Sequence, residues 1–346
     1  MKTLVVSARS HDRQVIESFN RNRHELHFTE VALNDQTAQI ASDCPAVCAF
    51  VNDKLDAATL RVLAGGGTRF LALRSTGFNN VDLEAAQELG MTVARVGQYS
   101  PHAVAEFVVG LTLTLNRKLH KAYVRGREDY FLLDGLLGFD LHGKTAGIVG
   151  TGKIGQVLAR IMTGFGCRVL GFDVVENEEC LNLGMTYVQM DELLTQSDIV
   201  SLHAPLTPET YHLIDERALQ LMKPSALLIN TSRGALVDTK ALIRALKAGH
   251  LAGAGLDVYE EEDGIFFRDL SGQGVFDDVF ARLRTFPNVI VTGHQGFFTR
   301  EALNDIAAAT IGNLDDFEAG RRSANTLTPQ PSTLRSSAPD GKAVAA

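Results

Sequence analysis

Cysteine is sparse, with 4 in 346 residues, so no disulfide framework staples this fold. Cys44 and Cys48 stand four apart with no histidine nearby at zinc-ligand spacing, and no metal is expected. An excess of positive charge is also missing: 33 Lys and Arg against 41 Asp and Glu leave a net charge of −8. That balance excludes a general nucleic-acid binder, which needs a basic field to meet phosphates. No apolar run approaches the roughly 18 residues of a membrane span. The opening stretch MKTLVVSARS holds only the short apolar run Leu4, Val5, Val6 before polarity returns; it is too short for a signal-peptide core and reads as a first strand. No segment repeats at solenoid spacing. These absences predict a soluble, reduced, cytoplasmic protein that binds neither nucleic acid nor membrane.

The length suggests two domains at a prior of about 150 residues each, and 45% hydrophobic residues can fill a core in both. Short β-branched runs alternate with longer helical segments throughout, the pattern of parallel α/β layers. Strands are expected near 2–7, 25–30, 47–51, 70–75 and 92–96, then near 145–150, 168–173, 198–204, 226–231, 253–258 and 288–293. Five strands followed by six fit two doubly wound parallel-sheet domains in one chain. The joint is Ser100-Pro101, a capping hydroxyl before a proline at the first helical position, opening an apolar helix to about Lys121. A last helix is expected from Thr299 to about Gly320. From Arg321 the text is polar and without period, which predicts a disordered tail. The basic stretch Arg117, Lys118, Lys121, Arg125, Arg127 reads as a solvated helix face or a subunit contact rather than an anion site.

The sharpest local motif is Gly150-Thr151-Gly152-Lys153-Ile154-Gly155. A lone GxGxxG is weak, but here a strand precedes it. A helix follows, with Ile154, Val157, Leu158, Ile161, Met162 and Phe165 spaced for one buried face. A second strand then ends in Asp173, 18 residues after Gly155. In such a unit Gly150 allows the tight turn, Gly152 lets a pyrophosphate approach the backbone, and Gly155 lets helix and strand pack closely. The helix N-terminus offers oriented N–H groups to the phosphates, and Asp173 can hold both ribose hydroxyls. Val174, Val175 and Glu176 follow, with no arginine for a 2′-phosphate, so NAD is expected rather than NADP.

Ligands of open parallel sheets bind outside the carboxyl ends of the strands, which makes those ends the place to look for chemistry. Thr231-Ser232-Arg233-Gly234 follows one expected strand, Asp257 and the acidic run Glu260-Glu261-Glu262 follow the next, and His294 follows the last. Hydride transfer to a carbonyl needs these three types. Histidine gives a proton donor active near neutrality, a carboxylate on its other nitrogen favours the charged ring, and a guanidinium grips and polarises a keto acid. Each residue alone has an ordinary structural explanation; their recurrence at successive strand ends beside a nucleotide fingerprint favours catalysis.

Longer phrases carry a resemblance: RSTGFNNVDL (74–83), YSPHAVAEF (99–107), GKTAGIVGTGKIG (143–155), SLHAPLTPETYHLI (201–214), NTSRGALVD (230–238), GLDVYEEE (255–262) and TGHQGFF (292–298). Over about residues 1–320 the chain resembles the NAD-dependent D-isomer-specific 2-hydroxyacid dehydrogenases, and within them the fermentative D-lactate subgroup, which segment 263–286 with Phe266-Phe267 also resembles. The resemblance implies a Rossmann NAD-binding domain (101–295) inserted in a flavodoxin-like substrate domain (1–100 with 296–325), hinge closure over substrate, and a tail at 326–346. It implies that Arg233 binds and polarises the keto acid, Glu262 partners the imidazole, and His294 donates and accepts the proton. Asp257 is implied on the nicotinamide side, and Ala204, Pro205, Thr210, Thr231 and Ser232 line the cofactor cleft beside Lys153, Ile154 and Asp173. The loop Ser75-Thr76-Gly77-Phe78-Asn79 is implied as a backbone cradle for the substrate carboxylate, with Tyr99 and Phe297 as walls. Association through the cofactor domain implies a homodimer or homotetramer. The activity expected is reversible reduction of pyruvate to D-lactate with NADH. The alternatives are a dehydrogenase for a larger 2-keto acid, or a non-catalytic NAD-sensing binding protein on the same scaffold.

Overall fold

The computed structural model describes residues 1–328. The described chain divides into two compact units: Met1–Tyr99 with residues 303–328, and Ser100–Ala302. The second unit therefore keeps residues 296–302, which had been expected in the substrate domain. The reason is local, because the Gly296 N–H is tied to the buried Asp257 carboxylate at 2.6 Å.

The first unit runs β1 (Lys2–Val5), α1 (Ser10–Asn20), β2 (Glu25–Phe28), β3 (Ala46–Ala49), α2 (Ala57–Gly65), β4 (Phe70–Leu73), α3 (Leu83–Glu88) and β5 (Thr92–Ala94). The strands pair in parallel in the order β2-β1-β3-β4-β5. Their near-continuous apolar runs suit a sheet covered on both faces. Alternate residues go to opposite layers: Leu4, Val6, Val47, Leu71 and Leu73 to one core, and Val5, Ala46, Cys48, Phe70 and Ala72 to the other. The returning helix supplies Ala307, Ile311 and Leu314 to that second layer, and Phe317 stacks on Phe70 at 4.5 Å.

The second unit runs α4 (Pro101–Arg117), α5 (Leu119–Gly126), β6 (Thr145–Val149), α6 (Lys153–Gly164), β7 (Arg168–Phe172), α7 (Glu178–Asn182), β8 (Thr186–Tyr187), α8 (Met190–Gln196), β9 (Ile199–Leu202), α9 (Glu216–Leu221), β10 (Leu227–Asn230), α10 (Thr239–Lys247), β11 (Gly253–Leu256), α11 (Asp278–Arg284) and β12 (Val289–Val291). Helix α12 (Arg300–Glu318) starts here and continues into the first unit. The parallel sheet has the order β12-β11-β10-β9-β6-β7-β8, so the direction of winding reverses between β6 and β9.

Two α/β sheets were expected and two are present, with four corrections in detail. The second sheet has seven strands rather than six, because β8 is a two-residue edge strand that pairs with β7 through Thr186 and Tyr187 without an apolar run. The helix expected to reach Lys121 breaks at Lys118, which adopts a left-handed φ of 54°. The buried face of α6 centres on Gly155, Leu158, Ala159 and Met162, whereas Phe165 is exposed; the glycine and alanine let the helix lie close to the sheet. Finally, the start of the expected tail is ordered. Thr326 bridges antiparallel to Ala94, Leu327 N–H donates to the Val93 carbonyl at 2.8 Å, and Val93 N–H donates to Thr328 Oγ1 at 3.0 Å. An edge strand offers unpaired backbone groups to any passing segment, and pairing of that kind needs no apolar side chain. Residues 329–346 of the expected tail lie outside the described residues.

Candidate active site

The glycine fingerprint joins β6 to α6. Gly150 has a φ of +93°, and a Cβ there would stand 2.6 Å from the His203 backbone; a Cβ on Gly155 would stand 2.2 Å from the Gly150 carbonyl. Those two positions therefore require glycine for the turn and for helix–strand contact. Gly152 differs, since a Cβ there would meet nothing within 4 Å. It is the N-cap of α6, with no side chain capping the first turn. Uncapped N–H groups before open space are what an anionic pyrophosphate requires, so the residues present fit a dinucleotide. Lys153 and Ile154 begin the helix.

At the end of β7, Asp173 accepts from Thr151 N–H at 2.6 Å and from its hydroxyl at 3.1 Å through Oδ2, and from Val174 N–H at 2.7 Å through Oδ1. These bonds fix the carboxylate and leave acceptor capacity on both oxygens. Thr151 is braced in turn by the Tyr187 hydroxyl at 2.8 Å and by Asn177 Nδ2 on its carbonyl at 2.9 Å. Sequence reading gave Thr151 no role beyond its place in the glycine motif and missed Tyr187 and Asn177, neither of which has a spacing signal. Beyond β9, burial pushes the His203 ring down to about 4, and Ser201 Oγ lies 2.9 Å from its Nε2. Ala204 is joined to the next strand end by Ser232 Oγ, which donates to its carbonyl at 2.7 Å. The Thr210 hydroxyl donates to the Pro205 carbonyl at 2.6 Å, so it fastens its own loop. Thr231 Oγ1, beside them, is buried and has no partner among the described residues.

Arg233, Glu262 and His294 follow β10, β11 and β12, three neighbouring strands of one sheet. Buried Asn230 shapes the arginine loop, its Nδ2 donating to the Arg233 carbonyl at 2.8 Å and its Oδ1 accepting from Ser232 N–H at 3.0 Å. Gly234 sits against the Tyr259–Glu260 backbone, where a Cβ would fall 2.0 Å from the Tyr259 carbonyl carbon. The arginine and glutamate loops are thereby in backbone contact. Arg233 is half-buried, its Nη1 donating to the Ser232 carbonyl at 2.7 Å. No carboxylate among the described residues forms an ion pair with it.

His294 Nδ1 lies 3.1 Å from Glu262 Oε1. Pairing with a carboxylate makes Nδ1 the protonated nitrogen of the neutral ring and leaves Nε2 for another partner. Glu262 is held by Tyr259 N–H at 3.3 Å, and the Tyr259 hydroxyl donates to Asp277 at 2.7 Å. The Phe267 ring flanks His294 at 5.8 Å between centroids. His294 carries a left-handed φ of 55°, a conformation that costs a non-glycine residue on the order of 1 kcal/mol. Buried Asp257 holds it there, accepting from Thr292 Oγ1 at 2.5 Å, Gln295 N–H at 2.9 Å and Gly296 N–H at 2.6 Å. Burial pushes the Asp257 carboxyl up, against the pull of these bonds. Glu260 has a separate task, pairing with His212 at 2.6 Å. Asn230, Tyr259, Asp277 and His212 were all missed by sequence reading. Phe297 lies after His294, half-buried and edge-on to Phe298 at 6.1 Å.

In the first unit, Ser75, Thr76, Gly77 and Phe78 follow β4, and Tyr99 is the last residue before the crossing. The four carbonyls of this loop are all engaged: Ser75 by Val96 N–H at 2.9 Å and Phe78 by Val81 N–H at 3.0 Å, Thr76 by Arg95 Nη1 at 3.1 Å, and Gly77 by Ser75 Oγ at 2.6 Å. The N–H groups of Thr76, Gly77 and Phe78 have no acceptor among the described residues.

Residues 109–296 match the model of the D-isomer specific 2-hydroxyacid dehydrogenase NAD binding domain. The chain is 52% identical over 319 residues to 2-hydroxyacid dehydrogenase homolog 1 of Schizosaccharomyces pombe, covering 92% of this chain and 96% of that one. It is 47% identical to the D-lactate dehydrogenase of Escherichia coli, covering 94% of this chain and 100% of the relative; the apo-structure of that enzyme superposes with a TM-score of 0.87 over 95% of this chain and 100% of its own. A structure of the pyruvate reductase of Chlamydomonas reinhardtii superposes with a TM-score of 0.89 at 41% identity, covering 94% and 98%.

Proposed function

The chain belongs to the D-isomer-specific 2-hydroxyacid dehydrogenase family and is an NAD-dependent oxidoreductase, and from that premise we propose that it interconverts pyruvate and D-lactate. The observation that carries the proposal is the His294–Glu262 pair at 3.1 Å, past the ends of β12 and β11, the two strands that follow in the sheet from β10, whose end presents a guanidinium with no carboxylate partner among the described residues. The names of its relatives, a D-lactate dehydrogenase and a pyruvate reductase, support the choice of substrate.

Bound NADH supplies the hydride. Gly150, Gly152, Lys153, Ile154 and Gly155 would hold its pyrophosphate and Asp173 its adenosine ribose hydroxyls. That carboxylate would repel a 2′-phosphate, and the exposed Val174 and Val175 offer it no cation. Ala204, Pro205, Thr210, Thr231, Ser232 and Asp257 would line the rest of the cofactor site. Arg233 grips the 2-keto acid with its fork and draws electron density from the carbonyl. His294 gives the proton on Nε2 to the developing alkoxide and takes it back in the reverse direction. Glu262 stabilises the charged ring while that proton is in place. In the first unit the N–H groups of Thr76, Gly77 and Phe78, beside Ser75 and without an acceptor among the described residues, are the donors proposed for the substrate carboxylate; Tyr99 of that unit and Phe297 of the second are each proposed as substrate-binding aromatics.

Steady-state assays with pyruvate, 2-ketobutyrate and phenylpyruvate, each with NADH and NADPH, test this reading. The expected result is highest kcat/KM for pyruvate with NADH and a D-lactate product. A preference for phenylpyruvate would move the assignment to a larger 2-keto acid. Tight NADH binding without turnover would make the chain a cofactor sensor.

Self-association belongs to the same reading. Tyr123, Phe131, Leu133 and Leu137, on α5 and the loop after it, are 65%, 75%, 81% and 91% exposed, and such a run of exposed apolar groups marks an interaction surface. A homodimer or a homotetramer is expected by sedimentation velocity, and a single-chain mass at micromolar concentration would overturn it. All four cysteines are buried and free, in keeping with a reduced, cytoplasmic setting.

A further inference from the structure

Arg95 stands just past β5 and reaches the Ser75–Phe78 loop by its side chain. Its Nη1 donates to the Thr76 carbonyl at 3.1 Å, and its guanidinium carbon lies over the Phe78 ring at 5.3 Å. The Thr76 carbonyl and the Gly77 N–H belong to one peptide unit. A cation bonded to the carbonyl end turns that unit's N–H outward and strengthens it as a donor, because hydrogen bonds in a chain polarise one another. A fork that also rests on a ring has a fixed orientation.

The backbone of Arg95 is itself clamped. Its N–H donates to the Asn325 carbonyl at 3.1 Å, and its carbonyl accepts from Asn313 Nδ2 at 2.9 Å. Asn313 is buried on α12, and its Oδ1 accepts both Asn325 Nδ2 at 3.0 Å and Ser323 Oγ at 2.8 Å. The Ser323 hydroxyl in turn accepts the Asn325 N–H at 3.1 Å. This closed circuit joins the last helix, the segment after it and the residue that holds the loop. Thr326, Leu327 and Thr328 then fasten the same segment along β5.

We propose that Arg95 is a positioning residue for the keto acid, presenting the N–H groups of loop 75–78 to the substrate carboxylate, and that the segment Ser323–Thr328 holds Arg95 in place through Asn325 and Asn313. The inference rests on the reading of that loop as the carboxylate site. It gives the C-terminal segment a part in substrate affinity and none in hydride transfer.

The test uses the full chain and separates KM from kcat. Arg95→Met keeps the aliphatic stem and removes the fork. It is expected to raise KM for pyruvate about 10- to 100-fold, the scale of a lost charged hydrogen bond. kcat should change by less than about 3-fold, and the Kd for NADH, read by its fluorescence, should stay at the wild-type value, since a uniform binding term affects KM alone. Arg95→Lys should recover part of the loss, because an ammonium can still donate to the carbonyl but cannot rest flat on Phe78. Asn325→Ala should raise KM in the same direction by about 3- to 10-fold and add little in the Arg95→Met background, as members of one network do. A wild-type KM in Arg95→Met overturns the proposal, and so does an equal fall in kcat and NADH affinity. Should Arg95→Met fail to fold, Arg95→Gln decides the matter by the same KM. Wild-type protein without turnover on any 2-keto acid would reject the carboxylate-site reading instead, which distinguishes the two failures.

Discussion

Replacing His294 with asparagine is expected to lower kcat for pyruvate reduction about 10²- to 10⁴-fold, the range that a positioned general acid contributes. Asparagine is the informative choice because His294 has a left-handed φ of 55°, which asparagine tolerates better than most residues. The Asp257 bonds to Thr292, Gln295 and Gly296 come from neighbours rather than from the ring, so the loop should keep its shape. NADH affinity should therefore remain near wild type, and the loss should fall on kcat. Glu262→Gln supplies the matching result for the pair. The Glu262 carboxylate, 3.1 Å from Nδ1, orients the imidazole, so the amide should lower kcat in the same direction, by less than loss of the ring itself, and leave NADH affinity unchanged. A wild-type kcat in Glu262→Gln would refute the pairing, and a His294→Asn enzyme within about 10-fold of wild type would remove histidine from the chemistry.

What could be read from the chain was whatever periodicity or chemistry repeats at fixed places. The two sheets were legible because β3 and β4 are unbroken apolar runs and β9 and β10 carry one polar residue each, Ser201 and Asn230, with every residue of the four strands buried. The glycine fingerprint was legible because two of its glycines are dictated by the backbone beside them, where an added Cβ would fall 2.6 Å and 2.2 Å from main-chain atoms. Features that rest on single hydrogen bonds between distant segments were not legible. Strand β8 is two residues long and half exposed, so its membership in the sheet depends on its neighbour rather than on its composition. Lys118 breaks a helix without glycine or proline to announce it. The segment after α12 reads as polar and aperiodic, yet it docks by backbone pairing to an open sheet edge and by the two amides of Asn313 and Asn325. The same holds inside the site. Arg233, Glu262 and His294 stand out because their chemistry recurs at strand ends, whereas Asn230, Tyr259 and Asp277, which fix where two of them stand, are ordinary residues until the contacts are seen. Asp257 falls between these cases. Its place at the end of β11 was noticed, but its buried grip on the histidine loop emerged only from the coordinates.

Arg233→Lys preserves the charge and removes the fork, and the expected cost is about 10²- to 10³-fold in kcat/KM, comparable to deleting one preorganised donor at a developing oxyanion. The loss should be shared between KM and kcat. A guanidinium presents parallel donors that can hold a carboxylate and still face the adjacent carbonyl, whereas an ammonium is a point charge that can serve one oxygen well. Weaker grip raises KM, and weaker polarisation lowers kcat. The surrounding structure argues that the backbone will not adjust to rescue the shorter side chain. Asn230 fixes the Arg233 carbonyl at 2.8 Å, and Gly234 lies so close to the Tyr259 backbone that the loop cannot advance. Nor does the wild-type arginine hold an ion pair among the described residues that the lysine would have to break first, so the effect reports on substrate rather than on a disrupted scaffold. Added guanidinium should restore part of the activity in an Arg233→Ala enzyme, since the missing group is then supplied from solution to the space the side chain vacates. If lysine leaves both kinetic parameters near wild type, the fork does not touch the keto acid.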